Sequence, residues 1–213
     1  MFYLYTHNQI LRKMEAVETK KIGKYLIKVV QDEQPQSPDD WGNDDAFVVY
    51  DHRQFYVERP GFVPREIFDE TNESGKMMYN EHFVFVLYAY IHSGVALSVG
   101  DHNFPDARWD VSSTGYVVVK RQKGMYNREK AFKLAEAITE EWNQYLSGDV
   151  YGYKVYDMSE ADVTEEDEDE GEMVESCWGF YGEPEYCMKE AVGITEYMVE
   201  QDKHGQLELE LKE

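Results

Sequence analysis

The order of apolar and polar positions predicts strand and helix segments along the chain. A nearly continuous apolar run at residues 83–91 is typical of a strand that is buried on both faces. The turn residues His92-Ser93-Gly94 separate it from a second short apolar run at residues 95–99. Together these segments predict a β-hairpin near the middle of the chain.

Further segments have equally clear patterns. Strands are predicted at residues 22–30, 46–50, 115–120, 151–157 and 174–181, and shorter helices at residues 9–21, 64–70 and 184–201. The clearest helix is residues 128–147, because its apolar residues recur every three or four positions: Ala131, Ala135, Ile138, Trp142, Tyr145 and Leu146. Asn127 is the expected N-cap of this helix, and Gly148 the expected stop.

These elements predict one α+β domain over residues 1–213. We expect a mainly antiparallel sheet with one or two long helices packed on a face. Between the last two strands we expect a flexible acidic loop at residues 159–173, since unpaired carboxylates are too costly to bury. A mobile tail is expected at residues 203–213, where the alternation of Gln206 to Leu211 favours either an edge strand or a tail that orders on binding.

The charge of the chain is negative and unevenly distributed. The formal net charge is -22, and between Asp157 and Met188 there are 13 acidic residues and no Lys or Arg. Such a surface disfavours direct binding to nucleic acid or to an anionic membrane. Its natural counterparts are proteins with basic surfaces, metal cations and solvent.

The cysteines and the apolar runs limit the cellular context. Cys177 and Cys187 are too few for a disulfide framework, and their spacing matches no zinc site, so we expect no metal and no cofactor. No apolar run approaches the length of a membrane-spanning helix, and the first residues lack a signal-peptide pattern. These features favour a cytoplasmic protein that does not bind membranes.

Several short motifs resemble a family of bacteriophage-encoded proteins of unassigned function. They run in the expected order from about residue 30 to residue 191, and they are Gln34-Pro35-Gln36-Ser37-Pro38-Asp39-Asp40-Trp41-Gly42-Asn43, His92-Ser93-Gly94, Trp109-Asp110 with Gly115-Tyr116, Tyr145-Leu146-Ser147-Gly148-Asp149-Val150-Tyr151-Gly152 and Ser176-Cys177-Trp178-Gly179-Phe180-Tyr181-Gly182. The resemblance implies a phage protein in the cytoplasm of a bacterial host. It implies no chemistry, and the acidic insert is particular to this chain.

The acidic tract is the first candidate site, as a partner-binding element. Its carboxylates are Glu165, Glu166, Asp167, Glu168, Asp169, Glu170 and Glu172. A dense run of carboxylates can occupy a basic groove that otherwise binds nucleic-acid phosphate. The alternative is an ordinary solvating loop, which is the commoner role of such runs.

Two other candidates would make the protein a small hydrolase or related enzyme. One is a nucleophilic thiol at Cys177, although a buried structural thiol beside Trp178 is favoured. The other is a catalytic or metal-binding set of histidines and aspartates, whose side chains could equally serve as turn residues: His92, Asp101, His102, Asp106 and Asp110.

Charge and resemblance together favour a function without catalysis. The leading hypothesis is an acidic phage accessory protein that binds and inhibits a host protein, such as a nucleic-acid-binding enzyme of a defence system, by mimicking nucleic-acid phosphate. One alternative is the small enzyme that uses Cys177 or the set of His92, His102 and Asp110. Another is a structural or assembly component with no inhibitory role.

Overall fold

The computed structural model of the protein describes residues 15–42, 44–105, 109–121, 127–159 and 171–210, and only the backbone of Trp41 and of residues 205–210. The strands are β1 (Ala16–Ile22), β2 (Tyr25–Gln31), β3 (Ala46–His52), β4 (Phe55–Val57), β5 (Met78–Tyr79), β6 (His82–Ile91), β7 (Val95–Val99), β8 (Val111–Lys120), β9 (Val150–Asp157) and β10 (Glu172–Tyr181). The helices are α1 (Pro64–Ser74), α2 (Arg128–Ser147), α3 (Pro184–Glu210) and a short 3₁₀ helix, Pro38–Trp41. The predicted α+β class with antiparallel sheets is confirmed.

The chain forms two compact units. Unit 1 consists of residues 1–32, 151–180 and 184–213, and unit 2 of residues 33–150 and 181–183. Unit 2 is therefore almost continuous in sequence and interrupts unit 1. The single domain expected from sequence stays a prediction. In sequence, the acidic tract falls within the second segment of unit 1.

Unit 2 is built on a six-stranded sheet with the strand order β4-β3-β8-β6-β5, in which β7 also pairs with β6. One face packs against α2, through Leu87 and Val117 on the strands and Ala135 on the helix. The opposite face packs against Ile67 of α1. Successive residues of β3, β6 and β8 alternate between these two cores, which explains why their sequences are continuously apolar.

Local signals fix two features of unit 2. The side chain of Asn127 accepts a hydrogen bond from the Glu129 N–H at 2.8 Å and caps α2, and Gly148 ends the helix in the left-handed conformation (φ 82°). Gly115 of β8 faces the ring of Tyr50, which a Cβ would approach to 2.0 Å. A residue with a side chain therefore cannot replace Gly115 without displacing that ring.

Unit 1 contains a four-stranded sheet in the order β1-β2-β9-β10. Its core lies between one face of β2 and β9 and the helix α3, with Ile27 and Val155 opposite Cys187 and Ala191. Because β2 pairs with β9 in register Ile27↔Val155, the N-terminal hairpin and the late strands share one sheet. Among the described residues, no helix has both the length and the apolar character needed to cross a membrane.

The N-terminal part of unit 1 differs from its prediction. Residues 16–21 were expected in a helix, yet they form β1, which pairs with β2 through a tight turn at Gly23 (φ 58°) and Lys24. Pairing with β2 outweighs the helix propensity of the Glu and Lys residues in this stretch. Of the rest of the predicted helix, Glu15 is not helical, and residues 9–14 lie outside the described residues.

The C-terminal part also differs. The alternation of Gln206 to Leu211 favoured an edge strand or a tail, but α3 continues to Glu210. Adding residues to an existing helix is cheaper than nucleating a new element, and Gln, Leu and Glu are good helix formers. The loop expected at residues 159–173 ends earlier than predicted, because Glu172 and Met173 already belong to β10.

Candidate partner-binding surface

The acidic tract lies between β9 and β10, as its sequence predicts. Of its carboxylates, only Glu172 lies within the described residues, and it is exposed at the first position of β10. The others lie outside them: Glu165, Glu166, Asp167, Glu168, Asp169 and Glu170. The structural argument for this surface therefore depends on β10 and on the end of β9.

The first half of β10 is open to solvent. Six consecutive residues, from Glu172 to Cys177, are exposed, including the apolar side chains of Met173 (53% exposed) and Val174 (38% exposed). β10 is an edge strand of its sheet, with β9 on one side and no further strand among the described residues on the other. An uncovered edge leaves backbone N–H and C=O groups available to a partner.

The second half of β10 is anchored to β9 by aromatic packing. The Trp178 ring lies against Gly152, where a Cβ would come within 2.2 Å of the ring, and the Lys154 ammonium is 5.6 Å from the ring centroid. Phe180 packs against Tyr153 with ring centroids 5.7 Å apart. These contacts join aromatic side chains of β10 to β9, and they hold the strand whose first half stays exposed.

An ionic cluster holds the end of β9, next to the residues that lead into the tract. The Lys24 Nζ lies 2.9 Å from Asp157 Oδ2 and 3.0 Å from Asp202 Oδ2, and the Tyr25 hydroxyl donates a hydrogen bond to Asp202. These contacts with Asp157 and Asp202 raise the pKa of Lys24. Burial is the largest single influence on Asp157 and would raise its pKa, but the hydrogen bonds from Lys24 and Ser159 together with the Lys24 charge outweigh burial and lower that pKa.

The two cysteines lie in opposite environments, and that of Cys177 differs from its prediction. Cys177 was expected to be buried beside Trp178, yet it is exposed on the open half of β10. Cys187 is fully buried on the inner face of α3, and burial raises its pKa to about 12. Cys177 is exposed because no described residue covers this part of β10. Cys187 is buried because it lies on the face of α3 that packs on the sheet.

The histidine and aspartate set lies in unit 2, whereas Cys177 lies in unit 1. His92 and Asp110 do meet, with Nδ1 and Oδ2 3.5 Å apart, and the Ile91 N–H donates to the Asp110 main-chain oxygen at 2.7 Å. Asp101 accepts a hydrogen bond from the His102 backbone N–H, which is the turn role that was the alternative. Asp106 lies outside the described residues.

His102 belongs to a row of aromatic side chains. Its ring lies 4.6 Å from Tyr88 and 5.5 Å from Phe104, and Phe104 in turn stacks on Tyr90 at 5.6 Å. The Nδ1 atom of His102 is buried, and no described residue forms a hydrogen bond with it. Within the described ranges, no group of three or more His, Cys, Asp or Glu side chains could hold a metal ion.

Sequence reasoning missed this aromatic row and the exposed apolar pair on β10. A signal for the row exists, because Tyr88 and Tyr90 occupy alternate positions of β6 and therefore share a face. No comparable signal marks Met173 and Val174, since only the edge position of β10 leaves them exposed. The hydrolase alternative stays a prediction.

The chain was compared with protein-family models, with curated proteins and with solved structures. None of the three comparisons finds a match. The resemblance to bacteriophage-encoded proteins therefore stays a prediction.

Proposed function

We propose that this protein is an acidic binding protein whose partner is a protein with a basic surface. The contact surface comprises the acidic tract, Glu165 to Glu172, and the open half of β10. The observation that carries the proposal is the exposure of six consecutive residues on an edge strand that directly continues the tract. Charge and an available backbone edge thus occur in one continuous segment.

The open half of β10 offers three kinds of contact. Glu172 and Glu175 provide negative charge, Met173 and Val174 provide apolar area, and the strand edge provides backbone hydrogen bonds. A partner strand added to a sheet edge gains affinity from main-chain hydrogen bonds and specificity from alternate side chains. Carboxylates on both sides of the apolar pair favour a partner segment with Lys or Arg.

The sequence of the tract carries almost one negative charge per residue. Seven of its eight residues are acidic. An extended chain rises about 3.3 Å per residue, and a single DNA strand presents one phosphate per ~3.4 Å. A run of carboxylates in an extended chain therefore resembles one DNA strand in the spacing and the sign of its charges, and it can bind in a groove that accepts that strand.

The biological form of the proposal is inhibition of a host nucleic-acid-binding protein during phage infection. It is supported by the resemblance to phage proteins and by the concentration of negative charge between Asp157 and Met188, where Lys and Arg are absent. Occupation of the basic groove would compete with nucleic acid. The protein itself would not bind nucleic acid.

The test compares three immobilised proteins in bacterial lysate. The first is intact, the second has the tract changed to Gln and Asn, and the third is a control with the exposed carboxylates Glu73, Glu136 and Glu140 changed to Gln. We expect the intact and control proteins to retain nucleic-acid-binding proteins that moderate salt or added duplex DNA releases. The tract variant should retain none of them.

A second assay tests inhibition directly. Each retained protein is purified, and its binding to duplex DNA is measured with increasing amounts of the intact protein or the tract variant. Inhibition by the intact protein alone supports the proposal. Equal retention by the intact protein and the tract variant, or retention that duplex DNA does not release, would overturn it.

A further inference from the structure

The sheet of unit 1 has two open edges whose exposed charges differ in sign. β1 and β10 are its outermost strands, and no further strand of the described residues lies beyond either one. β1 exposes Lys20 and Lys21, whereas β10 exposes Glu172 and Glu175. None of these four side chains forms an ion pair among the described residues. Each edge therefore offers a charge that the other edge can pair with.

The register of β1 shows which of its side chains lie on the helix face of the sheet. Lys20 is opposite Ile27, and Ile22 is opposite Tyr25, in the pairing with β2. Ile27 and Tyr25 belong to the core that packs against α3. Directly paired residues share one face of a sheet, so Lys20 and Ile22 lie on the face that α3 covers.

Glu175 and Cys177 lie on the same face at the other edge. Burial raises the pKa of the core residue Tyr153, and the charges of Cys177 and Glu175 raise it further. Burial also raises the pKa of Cys187 on α3, and Cys177 adds to that effect. Met173 is two positions before Glu175 and shares its face, because side chains alternate along a strand.

These faces fit a second copy of the sheet placed beside the first. We propose that unit 1 binds a second copy of this chain by adding β1 of one copy to β10 of the other, with Glu175 opposite Lys20. Neighbouring strands of the sheet are antiparallel, so a copy shifted sideways by one sheet width brings its β1 antiparallel to β10. The same register places Met173 opposite Ile22, which adds an apolar pair to the ion pair.

The charges select this arrangement over the other edge pairings. Lysine on an edge strand usually prevents pairing with the same edge of another molecule. Lys20 and Lys21 repel a second β1, and Glu172 and Glu175 repel a second β10, whereas the unlike pairing also places Glu172 diagonal to Lys21. Each pair of copies leaves one β1 and one β10 open, so the contact can repeat head to tail.

The inference goes beyond the proposed function, because it requires no host protein. It shares the open half of β10, so a second copy and a partner strand would exclude each other there. The purified chain alone tests self-association, and binding of host proteins can succeed or fail separately.

Analytical ultracentrifugation of the purified chain measures the assembly. Salt at ~0.15 M screens the repulsion between net charges of -22 beyond ~8 Å, whereas the paired side chains are in contact. We expect the average mass to rise with concentration and to exceed that of a dimer. Lys20→Glu and Glu175→Lys should each weaken association about fivefold or more, because an attractive pair becomes a repulsive one. Lys76→Glu and Glu73→Lys make the same charge changes at exposed residues of unit 2 and should have no effect.

An equal mixture of Lys20→Glu and Glu175→Lys is the sharpest sample. Each β10 edge then has an oppositely charged β1 edge on the other variant. The mixture should assemble like the wild-type protein, although neither variant does so alone. The proposal is overturned if the wild-type chain stays monomeric or stops at a dimer, if either variant assembles like the wild-type protein, or if two folded variants do not recover assembly when mixed.

Cross-linking locates the contact without changing these charges. In the proposed register, Cys177 is opposite Glu18 of the other copy, so Glu18→Cys should give a ladder of covalent oligomers with a short bis-maleimide. Within one copy, three strand spacings of about 4.8 Å separate β1 from β10, which is too far for this reagent. Cys187 is fully buried and should not react. The same ladder from the wild-type protein, or none from Glu18→Cys, would also overturn the proposal.

Discussion

The strands β3 and β8 of unit 2 each bury five consecutive residues, whereas β10 of unit 1 exposes six in a row. The difference arises from the surroundings, since β3 and β8 lie between α1 and α2, while β10 lies at a sheet edge. A strand covered on both faces needs apolar side chains at every position. An open edge strand is free to carry carboxylates and a thiol, which are the groups that a partner can meet.

The largest effect should separate a covered strand from an open one. Leu87→Ala in β6 removes a fully buried side chain and should lower the free energy of unfolding by about 2–5 kcal/mol. Met173→Ala in β10 removes a side chain of similar size that is half exposed, and it should change that free energy by less than about 0.5 kcal/mol. Urea denaturation followed by circular dichroism measures both free energies of unfolding. Similar losses of stability in the two variants would contradict the difference between the covered strand β6 and the open strand β10.

An intermediate effect tests how β10 is anchored. Gly152→Ala should lower the free energy of unfolding by about 1–3 kcal/mol, because the new Cβ would approach the Trp178 ring to 2.2 Å. Gly193→Ala is the matched control in α3, where no atom lies within 4 Å of the new Cβ. It should stabilise unit 1 by about 0.5–1 kcal/mol, since Ala favours a helix. In thermal denaturation, the melting temperature should fall for Gly152→Ala and rise for Gly193→Ala. A change in the same direction for both variants would disprove the close packing of Gly152 against Trp178.

The smallest effect concerns the ionic cluster at the end of β9. Asp157→Asn should lower the free energy of unfolding by about 0.2–1 kcal/mol near pH 7, because Lys24 is partly exposed and solvent screens the pair. The pKa of Asp157 is lowered, so its stabilisation is present above the ordinary value of 3.8 and is lost as the pH falls through the lowered value. The pKa of Lys24 is raised above 10.5, so its contribution is lost only in strong base.

The pH profile of that difference is the informative measurement. The free energies of unfolding of the wild-type protein and of Asp157→Asn should become equal at acidic pH and should differ from about pH 5 to pH 9. Added salt should reduce this difference in free energy. If the difference in free energy of unfolding is unchanged at acidic pH, Asp157 acts through packing rather than charge.

Sequence reasoning predicted the elements that local signals specify. The bounds of α2, its Asn127 cap and its Gly148 stop are all confirmed, because each depends on neighbouring residues. β1 was missed, because its strand character comes from pairing with β2 rather than from its own composition. The extension of α3 was missed for a related reason, since the helix had already been nucleated upstream.

The sites were less accessible to sequence reasoning than the fold. One cleft of unit 2 is lined by Asp39, Tyr56 and Trp142, which lie in three separate segments of the sequence. In sequence, Trp142 and Tyr145 are only part of the apolar stripe of α2. The environment of Cys177 was predicted wrongly, because burial depends on what covers a strand, and composition alone does not show this.

The pairing of β2 with β9 has a consequence for synthesis on the ribosome. Gln31 pairs with Tyr151, so about 120 residues separate the two strands in sequence. At ~5–20 residues per second, the N-terminal hairpin waits roughly 6–24 s for its partner strand. Residues 33–150, nearly all of unit 2, are synthesised before that moment and can fold while unit 1 still lacks half of its sheet. Until then, the edge of β2 that later pairs with β9 has unpaired backbone N–H and C=O groups. Such an edge is a binding site for a ribosome-bound chaperone.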